Sequence, residues 1–267
     1  MKAMILAAGL GTRLRPLTDN RPKALVEIAG RTLLEITLTR LRAFGITEVI
    51  INVHHFADLV IDYLKSNKNF GLRIEISREE ILLDTGGGLK KAAWFFLENS
   101  TSANPSRPGS TQMDEPFLLH NVDVLSTIDF ARMLQFHKEN HALATLAVQS
   151  RDTSRYLLFD DHNQFRGRRM EGHSPLATRH SPLPEAPEPS PLQPLAFSGI
   201  HILSPRLLPM LTEEGVFSII PSYLRLAAQG QKILAFRADQ YYWRDLGRPA
   251  DLTQAALDLE TGFRAEG

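Results

Sequence analysis

Short apolar runs alternate with longer segments of helical periodicity through the first half of the chain. Lys2 to Ala7 reads as a buried strand that runs straight into glycines. Leu34, Leu38 and Leu41 recur at helical spacing over residues 32–44, and Gly45 is placed to end that helix. Glu48 to Val53 (EVIINV) is a second buried strand and Ala57 to Lys65 a second helix. Leu72 to Ser77 alternates apolar and polar residues, as a half-buried strand does. Gly88 to Leu97 predicts a third helix, and Phe117 to Leu119 opens a strand that runs into Asn121-Val122-Asp123. This β-α-β-α rhythm predicts a mostly parallel sheet with helices on both faces. Farther on, Ala196 to Leu203 reads as a strand, Phe217 to Ala228 as a helix and Lys232 to Arg237 as a strand. A terminal helix over 250–261 has Pro249 suited to its first turn.

Two stretches break the rhythm. Residues 98–115 are polar and nearly free of large apolar groups, which predicts a solvated insertion. Residues 175–194 hold seven of the sixteen prolines, within an irregular loop placed at about 172–195. Proline fixes φ and lacks the amide donor, so neither helix nor central strand is expected there. A plain linker and a lid over a site both remain open. With no internal repeat, one domain over 1–267 is the expectation.

Charge and composition narrow the function classes. Thirty basic residues balance thirty acidic ones, against the basic excess of a general nucleic-acid binder. The absence of cysteine excludes thiol catalysis, disulfide scaffolds and cysteine zinc sites. The N-terminal apolar run is too short for a signal peptide, and no run of about 18 apolar residues predicts a membrane span. A cytoplasmic protein without nucleic-acid or membrane partners is expected, its oligomeric state left open.

The chemistry concentrates at the opening: Leu6-Ala7-Ala8-Gly9-Leu10-Gly11-Thr12-Arg13-Leu14-Arg15-Pro16-Leu17-Thr18, then Arg21-Pro22-Lys23-Ala24-Leu25. A strand enters a loop where Gly9 and Gly11 let backbone amides approach an anion closely. Arg13 and Lys23 supply the charge that a triphosphate needs. The dinucleotide fingerprint is excluded, since Leu14 stands where its third glycine belongs and Pro16 and Pro22 oppose an immediate helix. A P-loop is excluded by the missing Gly-Lys-Ser/Thr.

The whole string resembles the opening of the sugar-1-phosphate nucleotidyltransferases, and the resemblance continues in order down the chain. Asp84-Thr85-Gly86-Gly87-Gly88 is similar to the threonine-glycine loop with which that family reads the base. His120-Asn121-Val122-Asp123 stands where the family has an Asn-Gly-Asp or related triplet. Phe197-Ser198-Gly199-Ile200 resembles its sugar-side strand, and Trp243-Arg244-Asp245-Leu246-Gly247 its closing Trp-x-Asp-x-Gly.

The resemblance implies a Rossmann-like three-layer α/β/α architecture with a mostly parallel mixed sheet, the nucleotide-diphospho-sugar transferase fold. It implies that amides around Leu10, Gly11 and Thr12 cradle the triphosphate, that Arg13 holds the β- and γ-phosphates, and that Lys23 sits near the α-phosphate. Asp123 and Asp245 would bind Mg²⁺, Asn121 the ribose, and Gly86 and Gly87 the base. Glu171, Ser198 and Gly199 would serve the sugar, although Glu171 beside the flexible loop can equally face solvent. The chain looks most like the small subgroup that joins UTP to N-acetylmuramate 1-phosphate. Its close neighbours join GTP to mannose 1-phosphate.

Other readings of these residues differ. Asp123 as a mere helix cap competes with Asp129, and a cap for the helix near Pro249 is the alternative role of Asp245. His54 and His55, adjacent on a strand, point to opposite faces and predict no metal site. Glu79-Glu80 reads as a solvated face, since an already ionised phosphate nucleophile needs no general base. Val122 departs from the small residue common in the family triplet, and its side chain is expected to pack into the sheet. A catalytically silent nucleotide-sugar-binding regulator is the alternative to an enzyme, but such proteins lose the cations or carboxylates retained here. A nicotinamide-dependent dehydrogenase fails on the missing glycine.

Overall fold

The computed structural model describes residues 1–97, 115–170, 176–177 and 191–260. In chain order its elements are β1 (Ala3–Leu6), β2 (Glu27–Ile28), β3 (Arg31–Thr32), α1 (Leu33–Ala43), β4 (Glu48–Val53), α2 (Ala57–Ser66), β5 (Arg73–Arg78), α3 (Asp84–Lys91) and α4 (Ala93–Leu97). Next come β6 (Phe117–Asn121), β7 (Val124–Ser126), α5 (Phe130–Glu139), β8 (Ala144–Gln149), β9 (Arg155–Phe159), β10 (Phe165–Met170) and β11 (Leu176–Ala177). The last are β12 (Gln193–Leu203), α6 (Ile219–Ala228), β13 (Ile233–Arg237), β14 (Trp243–Asp245) and α7 (Pro249–Glu260).

The N-terminal half of the sheet is parallel, with β1 between β4 and β6 and β5 outside β4. The eleven-residue β12 joins this half to the rest, pairing antiparallel with β6, β8 and β9, while β13 adds parallel to β8. Side chains of the central strands go alternately to two cores, the period-2 consequence of strand geometry. Met4, Ile50, Phe117 and Leu119 pack with Leu89, Tyr223 and Leu226 on one face. Ala3, Ile5, Val49, Ile51 and Leu118 pack with Leu34, Leu38, Val60 and Met133 on the other. The helix–sheet–helix layering is the expected α/β architecture.

Most expected elements lie within a residue or two of their predicted bounds. Three differ. The helix predicted from Gly88 begins at Asp84 and breaks at Ala92, so the glycine run is not a loop but the first turns of α3. β12 starts at Gln193, so Pro194 and Leu195 belong to a strand rather than to the Pro-rich loop; Pro194 sits at its exposed start, where a missing donor is tolerated. Strands β8, β9 and β10 carry no counterpart in the sequence reading. Residues 98–114 of the polar insertion, and most of the Pro-rich segment, lie outside the described residues. Among the described residues no helix is long and apolar enough to cross a membrane.

Candidate active site

The carboxyl ends of β1 and β6 lie side by side, with Leu6 opposite Asn121; Lys23, Asp123, Arg13 and Asp245 line the space beyond that edge, and Leu10, Gly11 and Thr12 stand on the loop after β1. This is where an open α/β sheet leaves a crevice for ligands. Two cavities meet there, and Asn121 lines both.

The first, about 370 Å³, lies over β1 and the start of α3 and is walled by Ala8, Gly9, Leu82, Thr85 and Val216. Its floor is a buried polar chain. Asn52 accepts from the Ala7 amide at 2.7 Å and donates to Glu79 Oε1 at 2.7 Å, and Glu79 Oε2 accepts from the Leu83 amide at 2.9 Å. Glu79 is therefore not part of a solvated face: it is 2% exposed, and only Glu80 matches that expectation. The signal that could have found this chain is Asn52, a lone amide inside the apolar run EVIINV.

Gly86 and Gly87 are buried one layer behind the cavity wall, donating to the Phe217 carbonyl at 2.9 and 3.2 Å. A Cβ on Gly86 would strike the Phe217 ring and lie 2.9 Å from that carbonyl, and one on Gly87 would lie 2.5 Å from the Gly215 carbonyl. Asp84 and Thr85, just before them, reach the cavity instead. The close approach explains why a glycine run, a poor helix former, is used in a helix here.

The glycine loop is pinned rather than floppy. Gly11 has φ +65°, and Thr18 Oγ1 donates to its carbonyl at 2.9 Å. Among the described residues nothing accepts from the amides of residues 8–11, which leaves successive donors beside the cavity. Leu10, Thr12 and Arg13 are exposed. The Arg13 guanidinium lies against Gly247, where a Cβ would be 2.5 Å from both Arg13 Nη2 and Asp245 Oδ1.

Lys23 is 7% exposed, and its Nζ is ion-paired with Asp123 Oδ2. Asp123 is free for this because Asp129 caps α5, accepting from the Ala131 and Arg132 amides at 2.9 and 3.0 Å. Asp245 does not cap α7 either; its Oδ1 accepts from the Gly247 amide at 2.7 Å. Backbone pairing brings the two carboxylates together: β14 runs antiparallel to β7, and the Leu246 amide donates to the Asp123 carbonyl at 2.8 Å. Burial and the Asp123 charge push the Asp245 carboxyl above its ordinary range, against the opposing pull of Lys23 and Arg13. Two crowded hard-oxygen anions fit a divalent cation that completes its shell with phosphate oxygens, the habit of Mg²⁺. Among the described residues no group of three or more metal-ligating side chains occurs, and His54, which contacts the Glu79 carbonyl at 2.9 Å, belongs to none. Val122 is buried in the sheet, as its alternation predicts.

The second cavity, about 880 Å³, opens on the other side of Asn121. Ser198 and Gly199 line it from a bulge in β12, where pairing with β8 slips between Phe197 and His201. Gly199 has φ +72°, and a Cβ there would be 2.8 Å from Asn121 Nδ2. Glu171 lies outside the described residues. Arginines from distant segments complete the wall: Arg13, Arg151, Arg155, Arg244 and Arg248. Sequence reasoning missed Arg151, Arg155 and Arg248, since nothing local marks them.

Comparison with known proteins identifies the family and the fold. Residues 2–262 match the family model described as "Nucleotidyl transferase". A relative in Caulobacter vibrioides, N-acetylmuramate alpha-1-phosphate uridylyltransferase, is 33% identical over 97% of this chain and 95% of its own. Mannose-1-phosphate guanyltransferase beta-B of Xenopus laevis is 30% identical over 98% of this chain, which spans 65% of that protein. Among solved structures, HddC from Yersinia pseudotuberculosis complexed with GMP-PN aligns with a TM-score of 0.70 at 20% identity, covering 97% of this chain and 99% of its own. A UDP-glucose pyrophosphorylase complexed with UDP-glucose aligns at 0.71 and 17%, covering 97% and 98%.

Proposed function

This chain belongs to the nucleotidyl transferase family and is a sugar-1-phosphate nucleotidyltransferase, and we propose that it joins UTP to N-acetylmuramate 1-phosphate with release of pyrophosphate. The observation that carries the reading is the convergence of Lys23, Asp123, Asp245 and Arg13 on the edge shared by two cavities, one for each substrate. Support for uridylyl transfer to the acidic amino sugar comes from the 33% identical relative of that activity, matched over nearly its full length.

In the proposed reaction an ionised oxygen of the sugar phosphate attacks the α-phosphorus of UTP, and the bond to the β-phosphate oxygen breaks as pyrophosphate departs. The nucleophile needs no general base. The free amides of residues 8–11 hold the triphosphate, and Arg13 meets the charge that accumulates on the departing phosphates. Lys23 is held by Asp123 where the α-phosphate must lie and stabilises charge during transfer. Asn121, between the cavities, orients the ribose, while Ser198 and Gly199 position the sugar. Asp123 and Asp245 would hold Mg²⁺, which supplies Lewis-acid neutralisation of phosphate charge.

The test is pyrophosphate release with Mg²⁺ across four nucleoside triphosphates and the 1-phosphates of N-acetylmuramate, mannose, glucose and N-acetylglucosamine. The expected signal is UTP with N-acetylmuramate 1-phosphate. GTP with mannose 1-phosphate would overturn the substrate assignment, and nucleotide binding without turnover on any pair would favour a regulatory relative.

A further inference from the structure

The second cavity holds a cation that the reaction scheme above does not use. Arg151 follows β8, whose end is fastened to the 238–241 turn. Gln149 Nε2 donates to the Ala238 and Tyr241 carbonyls at 2.9 Å each, and the Ser150 amide donates to Asp239 Oδ1 at 2.6 Å. The Arg151 guanidinium lies 3.6 Å from the centroid of the Trp243 ring and donates from Nη2 to the Phe197 carbonyl at 2.7 Å. Trp243 in turn donates from Nε1 to the neighbouring Ser198 carbonyl at 2.8 Å. The arginine is thus rigid, and one of its donors, Nε, is buried without a partner. Among the described residues no carboxylate ion-pairs with it, whereas Arg244 in the same wall is matched by Asp258 at 3.0 Å. Asp152 and Asp251 also line the cavity, so the cationic excess is modest; Arg244 is likewise stacked and held, on Tyr242, but has Asp258 as its ion-pair partner, which Arg151 lacks among the described residues. The Asp245 charge acts on the guanidinium without contacting it, so burial still leaves Arg151 short of a direct ion-pair partner that a ligand could supply.

Its position says which part of the ligand it meets. Trp243 and Asp245 are two residues apart on β14, hence on one face and about 6.8 Å apart along the strand. With the reacting phosphate at Asp245, Arg151 over Trp243 sits one same-face position along the strand, still within reach of the Asp245 charge.

We propose that Arg151 recognises a second acidic group on the sugar 1-phosphate, a carboxylate carried on the ring away from the anomeric phosphate, so that this cavity selects acidic over neutral sugars. A guanidinium's planar fork matches a carboxylate's two oxygens, which an ammonium cannot do. The inference rests on the proposed substrate, since the lactyl ether of N-acetylmuramate supplies such a carboxylate and N-acetylglucosamine is the same ring without it.

The experiment compares kcat/KM, with UTP and Mg²⁺, for the 1-phosphates of N-acetylmuramate, its lactyl amide and N-acetylglucosamine. Wild type is expected to prefer the acid over its amide by at least about 30-fold, about 2 kcal/mol, a comparison that needs no variant. Arg151→Gln lowers the acid-to-neutral preference by a similar factor through KM of the acidic sugar, and Arg151→Lys recovers only part of it. Calorimetric UTP binding within about threefold of wild type establishes that each variant is folded. Equal losses on acidic and neutral sugars, or a wild type indifferent to the amide, would overturn the role of Arg151 while leaving the substrate assignment standing. A wild type that turns over only neutral sugars overturns that assignment and this inference with it.

Discussion

The two cavities that meet at Asn121 are built in opposite ways. The first rests on consecutive parallel strands and the loops directly after them, and its one cationic side chain among the described residues, Lys23, is neutralised by Asp123. The second is assembled from the 151–155 segment, the bulge of β12, β14 and the start of α7, and its walls carry arginines. The first is preorganised by a buried hydrogen-bonded floor of Asn52 and Glu79; the second is held by a stacked arginine and a bulge. The difference teaches where each kind of specificity resides. Backbone donors on a parallel sheet edge suit the shared triphosphate chemistry, whereas side chains from separate segments can be exchanged to suit a particular sugar.

The most direct way to break the comparison is at the junction itself. Asp123→Ala and Lys23→Ala should each lower turnover by two or more orders of magnitude, with circular dichroism unchanged. These residues line the first cavity where it meets the second and serve the reacting centre, so the loss should appear in kcat with every sugar tested. Near-normal pyrophosphate release from either variant would remove the junction from the mechanism.

A third substitution separates the cavities structurally. Gly86→Ala forces a methyl group against the Phe217 ring and its carbonyl, parting α3 from the segment that walls the first cavity. The expected cost is about 2–3 kcal/mol, read as a fall in Tm of about 4–12 °C. UTP affinity should fall in the variant. Unchanged stability would mean that the 215–217 segment yields freely and does not fix this wall.

These three substitutions mark what was legible in the chain. Gly11, Lys23 and Asp123 could be found because each stands in a contiguous motif that opens where a strand ends, and local motifs survive in a linear reading. Gly86 was visible, but its glycine run reads as a loop; the contact that makes it helical comes from Phe217, 131 residues away. Glu79 was misplaced for a related reason: a carboxylate is expected in water unless a partner is known, and its partner Asn52 stands on another strand. Arg151, Arg155 and Arg248 offered no signal at all, because an arginine's role depends on which segments fold around it.

The third prediction sets stability against turnover within the carboxylate pair. Asp245 is held above its ordinary range by burial and by Asp123, so its folded-state proton affinity exceeds that of the unfolded chain. The native state then binds more protons in the window between the two values, and stability from this group falls as pH rises through it. At neutral pH the ionised pair is a strain on the metal-free protein. Asp245→Asn relieves it and keeps an oxygen for the Gly247 amide, so the metal-free Tm should rise by about 1–3 °C while activity is lost. A lowered Tm would mean that the carboxylate contributes more as an acceptor than it costs as a charge. Added Mg²⁺ should raise the Tm of wild type but not of the variant, since one of the two proposed ligands is gone.

The smallest effect is expected far from both cavities, and it calibrates the others. Arg78, at the end of β5, is ion-paired with Asp58 on α2; their side chains are 52% and 81% exposed. Strength at that exposure is limited by water and side-chain entropy, whatever the geometry, so Arg78→Ala should change stability by less than about 0.5 kcal/mol. Its kcat and KM should match wild type with acidic and neutral sugars alike. The pair shares a property with Lys23–Asp123, a short cation–carboxylate contact, and differs in burial and in facing the junction. Comparable losses from Arg78→Ala and Lys23→Ala would therefore show that ion pairing itself, and not position at the shared edge of the two cavities, determines activity. A silent Arg78→Ala beside a disabled Lys23→Ala would tie the chemistry to that edge.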